Sequence, residues 1–190
     1  MNGRICILIL LGALALGLNS CGGGGGGGVG TISSSSGGTF SATPIIVESD
    51  VATWTGTPCA ATSSYTVAPD NVAVTFTAFA APPGSTGNTP EQVVIDWVTI
   101  SYSPASAGSP ALPSQNQAIG QTVTLGSTAT FQVQVASQSL KSTPPLDTLI
   151  CSPNIYSYYA TMVFACHYLI TGDTFTGSTQ INVKFADFAN

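Results

Sequence analysis

From Thr43 to the end of the chain the apolar residues recur with period two rather than with the three-to-four spacing of a helix, and this most restricts the fold. In PDNVAVTFTAFAAPP, Val72, Val74 and Phe76 fall on one side and Ala73, Thr75 and Thr77 on the other. In QTVTLGSTATFQVQVASQ a Gly126-Ser127 turn separates two such runs, the second with Phe131, Val133 and Val135 inward and Gln132 and Gln134 outward. YSYYATMVFACHYLITGDT puts Met162, Phe164, Cys166, Tyr168 and Ile170 on one face, and GSTQINVKFADF does the same with Ile181, Val183 and Phe185. PEQVVIDWVTISYSP is a β-branched run closed by proline, and an early strand falls near PIIVESDVATW.

These runs predict about seven strands, near residues 45–54, 71–79, 92–102, 121–125, 128–137, 156–171 and 178–187. Parallel α/β folds need helical crossovers, for which no pattern exists, so the expected fold class is all-β: a single antiparallel sandwich of two sheets. TVTLGSTATFQVQV resembles the glycine-turned strand pair of many bacterial Ig-like domains, and Trp97 falls where that fold carries a buried tryptophan on its third strand. The resemblance implies an Ig-like sandwich. Two departures mark it: the second strand has no cysteine, and Phe164 stands two before Cys166 where the antibody-type corner carries tyrosine, so an antibody-style bridge is ruled out.

The first twenty residues form a different unit. Met1 to Arg4 carries one positive charge, Ile5 to Leu16 is apolar, and Gly17 to Ser20 is small and polar, which is the layout of a secretory signal. Its apolar core of roughly 12 residues is shorter than the ~20 of a membrane-spanning helix. Leu18-Asn19-Ser20-Cys21 resembles the lipobox of bacterial lipoproteins, with Asn19 the one unusual residue. That resemblance implies cleavage before Cys21, a diacylglycerol on its thiol and an acylated amine; two or three acyl chains give a durable anchor where one would be marginal. Gly22, where the family carries Asp for inner-membrane retention, implies passage to the outer membrane.

Seven glycines, Gly22 to Gly28, and then VGTISSSSGGTF offer little side chain to bury, so a solvated tether is expected. About 22 residues give it a typical reach of roughly 25 Å. No Lys-Ser or Lys-Thr closes the run, as a phosphate loop requires. The expected organisation is a signal peptide over 1–20, a lipid-anchored linker over 21–43 and one sandwich domain over 44–190.

Without the signal, Lys141 and Lys184 face eight carboxylates, a net charge near minus 6 with the amine acylated. Nucleic acid and anionic surfaces are poor partners for such a chain. Three cysteines remain in the exported body: Cys59, Cys151 and Cys166. The first two fall in connections that leave the same end of an up-and-down sandwich, while Cys166 lies about 33 Å along its strand. A Cys59–Cys151 disulfide is therefore expected, with Cys166 a buried free thiol.

No catalytic constellation, metal set or cofactor motif emerges. His167 is the only histidine, and on a strand its neighbour Cys166 points to the opposite face. No Gly-x-Ser-x-Gly occurs. The acids, Glu48, Asp50, Asp70, Glu91, Asp96, Asp147, Asp173 and Asp187, fall mostly in turns, and neither TGDTFTG nor APDN has the acidic density of a calcium loop. Of the tyrosines beginning the long late strand, Tyr156 and Tyr158 take the inward parity and Tyr159 the outward one, which makes Tyr159 the candidate partner contact. SPASAGSPALPSQNQAIG reads as a long uncharged connection, either a plain connector or a contact loop. The expected function is a non-catalytic binding, adhesion or assembly module, held to lipid through Cys21 and meeting an envelope protein or glycan. A small envelope hydrolase with a carboxylate site and a carrier of an apolar ligand are the alternatives.

Overall fold

A computed structural model describes residues 33–34, 37–80 and 91–188. Its strands are β1 Ser33–Ser34, β2 Gly38–Thr43, β3 Ile46–Asp50, β4 Thr53–Thr55, β5 Ser64–Thr66, β6 Asp70–Ala78, β7 Gln92–Pro104, β8 Gln115–Thr124, β9 Thr128–Ala136, β10 Tyr156–Tyr168 and β11 Thr174–Ala186. One sheet has the order β1-β2-β6-β9, the other β3-β11-β10-β7-β8, and β4 and β5 form a separate ribbon. All pairings are antiparallel except β3 with β11, which run parallel with Val47 opposite Val183. This is an all-β sandwich of two sheets, with the leading strand divided between them.

Alternation gives each main strand one face for the core. Val72, Val74 and Phe76 of β6, Val133 and Val135 of β9, Met162 and Phe164 of β10, and Ile181, Val183 and Phe185 of β11 are all buried. The sheets meet over stacked rings: Phe40 of β2 lies parallel to Phe164 of β10 at 4.3 Å between centroids, with Phe76 at 4.5 Å and Phe131 edge-on to Phe164. Each buried aromatic removes on the order of 150–250 Å² from water. Tyr158 closes the other end of this layer, edge-on to Phe185 and Tyr102. The Tyr102 hydroxyl donates to Val135 O at 2.6 Å and accepts from Gln115 Nε2, so its one polar atom is satisfied inside.

Five sequence expectations are corrected. The sandwich starts before residue 44: Gly38–Thr43, assigned by composition to the linker, is a sheet strand whose Phe40 is fully buried. Its glycine is a packing residue, since a Cβ at Gly38 would sit 2.5 Å from both the Phe76 ring and Thr77 O. The single early strand over 45–54 is instead β3 and β4, parted by buried Val51 and Ala52. The fourth strand begins at Gln115, not 121, taking in part of the supposed connector, and pairs with β7. The two runs about Gly126 thus belong to opposite sheets, joined by a turn in which Ser127 N donates to Thr124 O.

The last two corrections concern side chains. Ile170 lies beyond the end of β10 and is exposed, because the chain turns at Gly172. Trp97 points out of the sandwich, for a reason given below. Between β9 and β10 the sequence SQSLKSTPPLDTLI also forms two short turns of helix, α1 Gln138–Lys141 and a 3-10 turn at Leu146–Leu149, which bury Leu140, Leu146 and Leu149 over one end of the sandwich. Ser137 caps α1 by accepting from Leu140 N.

Candidate functional site

Strand β7 changes parity midway. Val93 and Ile95 face the core, and so do Val98, Ile100 and Tyr102, which leaves two residues between the series where strict alternation has one. The registers locate the irregularity: β10 pairs Cys166 with Ile95 and Ala165 with Trp97, and β8 pairs Gln121 with Ile95 and Ala118 with Trp97. Asp96 is the extra residue of a β-bulge, a device that re-aims side chains. With the step, Val98 takes the inward position and Trp97 lies on the outer face of the five-stranded sheet, 56% exposed.

On the β8 side of the indole the face is uncharged. Opposite Trp97 stands Ala118, whose lone methyl leaves a shallow hollow of about 340 Å³ lined by Trp97, Asn116, Gln117 and Ala118. Thr99 Oγ1 donates to Asn116 Oδ1 at 2.7 Å, and Gln117 Oε1 accepts from Gln134 N at 2.9 Å. On the other flank His167 Nδ1 and Asp96 Oδ2 are 2.9 Å apart, both side chains about one third exposed. Val163, exposed on the same face of β10, lies two residues beyond Ala165.

His167 therefore sits on the outer face, as alternation requires, while its neighbour Cys166 is buried in the core. Burial, and then the nearby charge of Asp96, push the Cys166 thiol up to about 12. A thiol held so far from its thiolate, on the far side of the sheet from the imidazole, does not form a thiol-imidazole nucleophile. The Asp96–His167 pair was not foreseen; β7 and β10 are neighbours only in the folded sheet, and the bulge that brings Asp96 across has no signature in composition.

The disulfide end holds the other polar cluster. Cys59 and Cys151 are bonded, with Cα atoms 5.6 Å apart, as the strand placement predicts, and Cys166 is free and buried. Asp187 accepts from Trp54 Nε1 at 3.0 Å and from Cys151 N at 2.6 Å, so its carboxylate joins the β4 ribbon, the disulfide and the chain leaving β11. The two sulfurs and this carboxylate lie within 4.8 Å of one another, but a disulfide has no thiolate to give a metal. Lys141, 1% exposed, donates to Asp50 O, Ala68 O and the Asp70 carboxylate at 2.9, 2.7 and 2.7 Å, and Ser49 Oγ donates to the same carboxylate. Asp50 Oδ1 accepts from Ala52 N and Phe188 N. Each of these acids is engaged in holding the backbone or Lys141.

Of the residues singled out by sequence, Cys21 lies outside the described residues. Tyr159 is on the outer face at 37% exposure, opposite Ser103 and Asn182. It stands six residues from Ala165, roughly 20 Å along β10 from Trp97, so the two aromatics share a face and do not form one patch. Among the described residues no helix is long and apolar enough to cross a membrane. Comparison of the chain with protein-family models, curated proteins and solved structures finds no match in any of the three.

Proposed function

We propose that this chain is an outer-membrane lipoprotein, anchored through an acylated Cys21, whose sandwich is a non-catalytic binding module that meets an envelope partner on the outer face of its five-stranded sheet. The observation that carries this reading is Trp97. A large aromatic turned to solvent by a bulge, where alternation would bury it, forgoes the stabilisation of a buried ring. Such residues are the usual anchors of binding surfaces. The neutral rim and the scarcity of charge across the chain suit a partner recognised by contact and hydrogen bonding rather than by long-range attraction.

The engaged acids at the disulfide end favour binding over carboxylate catalysis, and the stacked rings between the sheets favour it over carriage of an apolar ligand. The test is a photoreactive amino acid placed at Val163 of the full chain in intact cells. A discrete crosslinked adduct that disappears with Trp97→Ala is expected. An adduct pattern unchanged by Trp97→Ala, or no adduct at all, contradicts the reading.

A further inference from the structure

We infer that the hollow beside Trp97 is a subsite for a neutral sugar ring, stacked on the indole and hydrogen-bonded by the Asn116 amide of β8; the inference rests on the binding reading above and names its ligand class. The hollow, about 340 Å³, is at the small end of the range for ligand sites and open at the surface, as suits one ring of a longer glycan. An indole face carries the negative lobe of its quadrupole and attracts the polarised C–H face of a pyranose.

The hydrogen-bonding inventory points the same way. Asn116, on the same face as Trp97, has its amide oxygen engaged by Thr99 Oγ1, whereas Gln117 points to the other face of β8 and accepts from Gln134 N of the opposite sheet. The Asn116 amide is thereby oriented, with its NH₂ group left to donate to a hydroxyl or acetamido oxygen. Charge excludes the acidic sugars and phosphates. Asp96 and His167 are paired with each other, and Lys184 of β11 stands eight residues from Thr176, the partner of Ala165, roughly 26 Å along the strand. Among the described residues no cation is thus in place for an anion, whereas a neutral ring has what it requires.

The indole signals of ¹⁵N-labelled full-length Cys21→Ser protein report the binding directly. Trp54, whose Nε1 is held by Asp187 at the disulfide end, is the internal control. Cellobiose, maltose, lactose, mannobiose and N,N′-diacetylchitobiose are titrated in turn. At least one is expected to move the Trp97 signal saturably and leave that of Trp54 in place. Trp97→Ala should abolish binding of that sugar, and Asn116→Ala should weaken it about fivefold, the ordinary effect of losing one hydrogen bond. If none of the five moves the Trp97 signal up to about 20 mM, beyond the weakest useful affinity, the sugar assignment is wrong. A Trp97-dependent protein adduct at Val163 with all five sugars silent would overturn the sugar and leave the binding face standing.

Discussion

Lys141 joins three segments through the three hydrogens of one ammonium: the end of β3 at Asp50, the approach to β6 at Ala68, and Asp70 itself. Replacement by Met keeps the apolar stem but leaves two carbonyls without their donor and the Asp70 carboxylate, still held by Ser49 Oγ, without its cation. Breaking a buried pair from one side costs about 3 kcal/mol or more, so the urea midpoint of Lys141→Met should fall by that amount divided by the unfolding slope; an unchanged midpoint would mean that water serves these acceptors equally well. Cys166, Tyr158 and Tyr102 set the alkaline limit. Burial is the main cause of all three shifts, which raise the thiol from 9.0 and the Tyr158 phenol from 10.0 to about 12 and push the Tyr102 phenol up as well. The native state keeps these protons while the unfolded chain releases them, so the unfolded state binds fewer protons above pH 9 and stability must fall as pH rises toward 12. Melting temperatures taken from pH 8 upward should begin to drop near pH 9 in the wild type and near pH 10 in Cys166→Ala, where only the buried phenols of Tyr158 and Tyr102 remain. At residue scale much was legible: alternation alone placed Val72, Phe76, Ile181 and Phe185 inside and His167 outside. Lys141 was not, because its three acceptors come from segments about 70 to 90 residues away.

Strand β2 shows why composition misplaces an element boundary. A run of serine and glycine before residue 44 looks like tether, yet Gly38 lies where no Cβ fits and Phe40 stacks on Phe164. Glycine here serves close approach rather than flexibility. Phe40→Ala should therefore destabilise the sandwich by about 3–5 kcal/mol, the range for emptying a buried aromatic site, and thermal melting of that variant checks it; a loss under 1 kcal/mol would return residue 40 to the linker. β8 was half missed for a related reason. Gln115, Asn116 and Gln117 carry no apolar alternation, and this first part of the strand is held by its ladder to β7, while only Ile119 and Val123 farther along pack against the core. The bulge at Asp96 is likewise invisible to a count by twos, and the Ig-like resemblance led Trp97 to be expected inside. By contrast, the Cys59–Cys151 bridge followed from which strand connections share an end. Closing a loop of 92 residues, it contributes at most roughly 4 to 5 kcal/mol through the unfolded chain. Reduction with Cys166 still buried should lower the guanidinium midpoint without changing the sheet signal in circular dichroism at low denaturant.

At the scale of the molecule the account has two separable parts, a lipid anchor and a binding face. The proposed anchor rests on the resemblance carried by the first 21 residues; labelled palmitate should enter the wild-type chain and not Cys21→Ser. The face was not readable, because it is assembled from β7, β8 and β10 around a bulge, and its central residue was expected in the core. Cys21→Ser protein frees the face from the anchor, so that its affinity for envelope material can be measured alone. The most direct measurement is co-sedimentation of full-length Cys21→Ser with isolated envelope fragments, with and without the added Trp97→Ala substitution. An exposed side chain contributes little to the fold, so both proteins should melt within about 0.5 kcal/mol of each other. Saturable retention of Cys21→Ser that is lost with Trp97→Ala is the predicted result; equal retention of the two proteins would contradict the account.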